Sequence, residues 1–228
     1  MTDLYPHKVP KSPFYFAYGE PLSKIQLSFK TPLVRKQPLY FGYTQTMFWA
    51  LREESRPFRD VNYNPELFYR YTPDSWEKTS VDFGLWSHTS NGQRGSTSRS
   101  YEMNYIRLNF EHKGRHWLIR TSGRLSYKHD FDPTNRDLTD YVSPLTLGLT
   151  FVQLFDAWFD KGIIDLEIQP GGKFAHLWDR GGYQLSWSFR LGRFDIVPAF
   201  YLQYYYGYGE TLLNYSQSVS EFRGGIVF

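Results

Sequence analysis

His88, Thr89 and Ser90 place an imidazole and a hydroxyl two residues apart. They stand just before a polar, glycine-punctuated loop running through Asn91-Gly92-Gln93-Arg94-Gly95-Ser96-Thr97-Ser98-Arg99-Ser100. On a β-strand, residues i and i+2 point to the same face with Cα atoms about 6.5 Å apart, so the ring can reach the hydroxyl. A base beside a hydroxyl is the starting point for a serine hydrolase, because the ring can take the proton as the oxygen attacks. His-x-Ser alone recurs by chance, so the weight of this pair depends on the elements that hold it.

Those elements read as strands. From Tyr183 to Leu191 every odd position is apolar and every even one polar, the period of a strand with one greasy and one wet side. Comparable runs cover 24–31, 39–49, 65–72, 81–88, 100–110, 116–127, 194–206 and 219–228, with looser ones at 14–18, 145–154 and 162–168. Clusters of Gly, Pro, Asp and Asn, such as 130–135 and 169–172, separate them, and no convincing helical run lies between. Pro198 falls inside an aromatic-rich predicted strand and suggests a bulge there.

Composition narrows the class. Aromatic residues make up 20% of the 228, with 19 Tyr, 19 Phe and 7 Trp, yet the mean hydropathy is −0.53. A transmembrane barrel reconciles the two, since only one face of each strand must be apolar and aromatic girdles mark both interfaces. The expectation is an all-β, twelve-stranded antiparallel transmembrane β-barrel forming a single domain over 1–228, with 1–23 partly irregular. The best helical candidate, 145–159, is interrupted by Gly148, Gln153 and Asp156, which excludes a membrane helix. Met1-Thr2-Asp3-Leu4-Tyr5-Pro6 lacks a basic region followed by an apolar one, so an export signal is expected to have been removed already.

With no cysteine, disulfides, thiol catalysis and cysteine-based zinc sites are excluded. His112 and His116 are the one close histidine pair, and they bracket the turn-like Lys113-Gly114-Arg115, which favours polar turn residues over a metal site. A net charge of +3 with dispersed basic residues leaves no stripe for nucleic acid.

The strand after the loop shares one face among Glu102, Asn104, Ile106, Leu108 and Phe110, which should be the lipid side. A hairpin would bring Glu102 back beside His88, where a carboxylate would hold the ring in the tautomer that accepts the serine proton. The strand before it raises a problem of parity. Val81, Phe83 and Leu85 group on one face and leave His88 on the other, so either a bulge near Gly84 turns His88 outward, the favoured reading, or Phe83 and Leu85 point inward.

The run His88-Thr89-Ser90-Asn91-Gly92, followed by Thr97-Ser98-Arg99-Ser100-Tyr101, resembles the signature of the outer membrane phospholipase A family. Two further blocks match in order. One is Tyr43-Thr44-Gln45 with Glu53-Glu54-Ser55, Pro57-Phe58-Arg59 and Asn62-Tyr63, and the other is Tyr206-Gly207-Tyr208-Gly209-Glu210-Thr211-Leu212. The resemblance covers roughly 24–228 and implies Ser90 as nucleophile, His88 as general base, a calcium ion and a homodimer. It places calcium-holding loop oxygens at Gln93 and Ser98, with a serine from the facing subunit at the position of Ser55. The Gly92 amide becomes an oxyanion donor, and Gln45 a polar contact in the dimer interface.

The chain departs from the family where its usual asparagine is replaced by Glu102, with Asn104 two residues on, and where Gly95 replaces an acidic residue of the calcium loop. The resulting expectation is a calcium-dependent phospholipase of the outer membrane acting on phospholipids and lysophospholipids, with Ser90, His88 and Glu102 catalytic. A passive barrel with a vestigial site and a soluble lipid-binding barrel are the rivals.

Overall fold

The computed structural model describes residues 13–73, 78–153, 159–191 and 198–228. Its strands are β1 (Tyr15–Gly19), β2 (Ser23–Pro32), β3 (Leu39–Trp49), β4 (Phe58–Tyr71), β5 (Thr79–Ser90) and β6 (Ser100–Lys113). They continue with β7 (Leu118–His129), β8 (Leu145–Val152), β9 (Phe159–Gln169), β10 (Gly182–Leu191), β11 (Ala199–Gly207) and β12 (Val219–Val227). Each pairs antiparallel with its sequence neighbours, and β1 pairs with β12, Tyr15 opposite Val227, to close the barrel. Closure leaves no strand edge unpaired, the condition for crossing a membrane with strands.

Alternation sorts the side chains. On β6, Ile106, Leu108 and Phe110 are exposed on the outer wall while Met103, Tyr105 and Asn109 are buried in the lumen. Leu125 and Tyr127 on β7 and Phe222 on β12 continue the apolar exterior, at 63%, 70% and 62% exposure. The interior is polar: Arg70, Asp82, Glu66, Gln203, Glu221 and Arg223 are all buried. A barrel that is greasy outside and wet inside is the membrane arrangement, and the protein spans a membrane with its strands.

Inside, many of the charges are paired. Arg70 binds Asp82 at 2.6 and 2.8 Å, with Asn109 donating to the same carboxylate at 3.1 Å. Tyr105 donates to Glu66 at 2.9 Å. Across the lumen, Arg223 bridges Glu210 and Glu221, and Lys24 reaches Glu210 at 3.4 Å.

The two ends differ. Loops 91–99, 130–144, 170–181 and 208–218 crowd one end, while the short links 33–38 and 114–117 lie at the other. Short 3-10 turns, such as Gly95–Thr97 and Pro133–Asn135, give the long loops local order.

Three details correct the sequence reading. β4 starts at Phe58, seven residues before the predicted run, because Asp60, Asn62 and Asn64 belong to its polar inner face rather than to a turn. Pro198 precedes β11 rather than bulging it, and the predicted strand positions 154 and 194–197 lie outside the described residues. The run Tyr204-Tyr205-Tyr206 reads from sequence as interfacial girdle; the outer two are exposed as a girdle requires, but Tyr205 is buried in the lumen, donating to the Tyr208 carbonyl. The His112 ring packs on Trp117 across the β6–β7 turn.

Candidate active site

The site begins with a bulge in β5. Gly84 pairs with Tyr105 and Ser87 with Met103, so three steps on β5 match two on β6. The β4 side agrees, with Leu67 opposite Trp86 and Phe68 opposite Gly84. One extra residue flips every later side chain to the opposite face. Leu85 and Trp86 are therefore both exposed, Ser87 is buried, and His88 and Ser90 fall on the outer wall. Gly84 itself lies under the Tyr105 ring, where an added Cβ would sit 2.2 Å from Cδ1.

Asn64 secures the bulged segment from the lumen side. Its Nδ2 lies 2.9 Å from Ser87 Oγ, 3.0 Å from the His88 carbonyl and 2.9 Å from Thr89 Oγ1. Two amide hydrogens shared among three acceptors leave this stretch little freedom to slip.

On the outer face His88 and Glu102 are register partners, with Nδ1 3.9 Å from Oε1 and each side chain about one-third exposed, 34% and 33%. That separation is an ion-pair distance, longer than a hydrogen bond. The Trp86 indole donates to the other carboxylate oxygen, Oε2, at 3.1 Å, and its ring lies within 10° of parallel to the His88 ring. Asn104 is committed elsewhere: its amide donates to the Leu85 carbonyl at 2.6 Å, and its oxygen meets His129 Nε2 at 3.0 Å. Glu102, not Asn104, thus faces the imidazole.

Ser90 stands opposite Tyr63 on one side and Ser100 on the other. The loop beyond it is built around the buried Asn91, whose side chain donates to the Thr97 carbonyl at 2.8 Å and accepts from the Arg99 amide at 2.9 Å. Gly92 takes φ +65°, the left-handed region, and an added Cβ would come 3.1 Å from the Tyr63 ring. A side chain there is disfavoured twice, by backbone and by space.

The expected calcium positions are only partly assembled. Ser98 donates to Asp132 Oδ2 at 2.8 Å, bringing a carboxylate from the β7–β8 loop to this point. Hydrogen bonds from the Thr134 amide and hydroxyl, then from Ser98, hold the Asp132 carboxyl below its usual range. Gln93 lies in the same loop, its backbone N–H donating to Asn91 Oδ1. Ser55 is separate, exposed on the β3–β4 loop at φ +61°, where Glu53 pairs with Arg59. Gln45 is on the outer wall of β3, between Leu27 and Tyr63, and accepts from the Tyr43 hydroxyl at 3.0 Å.

Sequence reasoning missed Trp86, Asn64 and Asp132. Trp86 and Asn64 had no motif to mark them, and Asp132 stood within a stretch legible only as a strand separator.

Known proteins share this architecture. A family model described as phospholipase A1 matches residues 19–228. The phospholipase A1 of Escherichia coli (strain K12) is 31% identical over 204 residues, covering 85% of this chain. The chain spans 64% of that relative's length. Among solved structures, the outer membrane phospholipase A from Escherichia coli superimposes with a TM-score of 0.73 at 29% identity, covering 91% of this chain and 78% of the other. The Salmonella typhi outer membrane phospholipase dimer with bound calcium gives 0.73 at 28% identity, with the same coverage. With the family model running from the last residue of β1 to the end of the chain, this protein belongs to the phospholipase A1 family.

Proposed function

We propose that this chain is a calcium-dependent outer membrane phospholipase that hydrolyses acyl esters of phospholipids and lysophospholipids. One observation carries the reading: the β5 bulge puts His88 and Ser90 on the lipid-facing wall, with His88 opposite Glu102. A barrel filled by paired charges has no use for a serine, an imidazole and a carboxylate on its apolar exterior, whereas an enzyme attacking lipid esters in the bilayer does. Their place beside the long loops is the outer-leaflet end, since such barrels keep short turns on the periplasmic side.

Ser90 Oγ attacks the ester carbonyl while the His88 ring takes its proton. Nδ1 is the nitrogen turned to Glu102, which leaves Nε2 for the serine. Glu102 fixes the ring and stabilises its cationic form without taking the proton itself. The Gly92 amide donates to the oxyanion, and the ring returns its proton to the departing lysophospholipid or glycerophospho group. Water then attacks the acyl-Ser90 ester by the same route.

The loop oxygens suit calcium. Ser98 touches an anionic Asp132, a hard-oxygen set of the kind calcium takes, and Gln93 would add an amide or main-chain oxygen. When bound, the ion supplies positive charge beside the developing oxyanion. Ser55 and the outward Gln45 fit a homodimer in which Ser55 of one protomer completes the site of its partner. The relatives' solved structures include a dimer with bound calcium, which supports this reading.

The test is fatty acid release from detergent-dispersed phospholipid. Activity that needs calcium and is lost in Ser90→Ala is expected; robust release by Ser90→Ala would overturn the mechanism.

A further inference from the structure

We propose that Trp86 is a positioning residue for Glu102, and that an indole at 86 and a carboxylate at 102 work as a matched pair. The inference rests on the reading of His88 and Ser90 as base and nucleophile.

A carboxylate accepts on both oxygens and donates from neither, whereas an indole N–H only donates. Trp86 Nε1 holds Oε2 at 3.1 Å, and Oε1 is left facing His88 Nδ1 at 3.9 Å. Among the described residues this is the hydrogen bond that anchors Glu102. Its register partner on β7, His129, is occupied by Asn104 at 3.0 Å and Asp130 at 2.9 Å. Trp86 reaches Glu102 only because the bulge exposes two successive side chains, Leu85 and Trp86. The same irregularity therefore turns the base outward and supplies the donor that aims its carboxylate. The Trp86 and His88 rings, 6.4 Å apart between centroids and nearly parallel, keep the indole in line with the imidazole.

An amide at 102 would fit this pocket badly. Its one oxygen can accept from His88 or from Trp86 but not aim squarely at both, so its NH2 must face one of two N–H donors. The indole that helps a carboxylate therefore hinders an amide. Removing the donor should be harmful beside the native Glu102 and harmless or helpful once Glu102→Gln is in place. A role in packing alone would give the same loss in both backgrounds.

The experiment compares wild type, Trp86→Phe, Glu102→Gln, the double variant and Ser90→Ala, each in detergent with calcium. Readouts are kcat and KM on phospholipid, the rate of Ser90 labelling by a sulfonyl fluoride, and the indole N–H resonances of 15N-labelled protein. Phe keeps the ring contact and loses the donor. Trp86→Phe is expected to lower kcat and the labelling rate about tenfold with KM nearly unchanged. The double variant should match or exceed Glu102→Gln. The Trp86 N–H signal, identified by its loss in Trp86→Phe, should move upfield in Glu102→Gln as its bond to a charged acceptor is lost.

An unchanged kcat in Trp86→Phe, an equal loss in both backgrounds, or an indole signal indifferent to Glu102→Gln would each overturn the proposal. Activity surviving in Ser90→Ala would instead strike the underlying mechanism, and the indole shift would still report on the pair.

Discussion

Two walls of this barrel hold carboxylates beside cationic or ionisable partners, and they use them in opposite ways. In the lumen, the fully buried Arg223 donates to Glu210, to Glu221 and to the Leu22 carbonyl, and Gln203 lies 3.5 Å away. On the outer wall, His88 and Glu102 meet at 3.9 Å with a third of each side chain open. The lumen cluster is saturated, so its charges have nothing left to offer a reactant. The outer pair is under-satisfied, and that leaves the imidazole able to exchange a proton. Whether a paired acid and base are structural or chemical follows from how many of their bonds are already made.

Substitutions on the two walls should separate the two roles. His88→Ala is expected to lower kcat about 10⁴- to 10⁶-fold, by analogy with loss of a triad member, with the melting temperature in detergent unchanged. Arg223→Met should do the reverse. It leaves Glu221 buried without its cation and Glu210 with Lys24 alone, at a cost of about 3–5 kcal/mol, read as a lower midpoint in denaturant. A stable Arg223→Met barrel, or a destabilised His88→Ala barrel, would dissolve the contrast.

The bulge between the walls is the next test. Gly84→Ala would drive a Cβ into the Tyr105 ring and should destabilise the barrel by about 1–3 kcal/mol, with activity falling as His88 loses its register. Gly92→Ala is expected to be milder, about 1–2 kcal/mol from the left-handed backbone, with an activity loss of about tenfold if its amide meets the oxyanion.

The smallest effect concerns acidity in the loops. The Asp132 carboxyl is depressed, so its contribution to ordering the Ser98 loop is present above the usual carboxylate range and is lost as pH falls through its lowered value. Calcium affinity measured by titration calorimetry should therefore hold from neutral pH down through the usual carboxylate range and decline only below it. Asp132→Asn should show the weakened affinity at every pH.

Much of this was legible in the residues. Alternation between apolar and polar side chains marks a strand when one wall meets lipid and the other meets polar groups, so β3 and β10 could be read almost to the residue and β6 to within three. β4 could not, because inward Asp60, Asn62 and Asn64 look like turn residues until a lumen exists to receive them. The outward turn of His88 was inferable as a parity conflict between Val81, Phe83 and Leu85 and the candidate pair His88 and Ser90. The identity of the extra residue was not, since it depends on Tyr105 lying over Gly84 and on Asn64 reaching from β4. Tyr205 was misjudged for a related reason: three adjacent tyrosines suggest one girdle, but a strand sends the middle one inward. Asp132 and Trp86 join the site through contacts that span a loop and a hairpin, which linear spacing does not encode.

The central claim is that the bulge makes Ser90 a nucleophile activated by His88 on the lipid-facing wall. Mass-spectrometric mapping of a sulfonyl fluoride adduct on the detergent-solubilised, calcium-loaded protein tests it most directly. The account predicts a single adduct at Ser90, abolished in His88→Ala although that barrel is fully folded. An adduct at another serine, or labelling of Ser90 at the wild-type rate without His88, would contradict it.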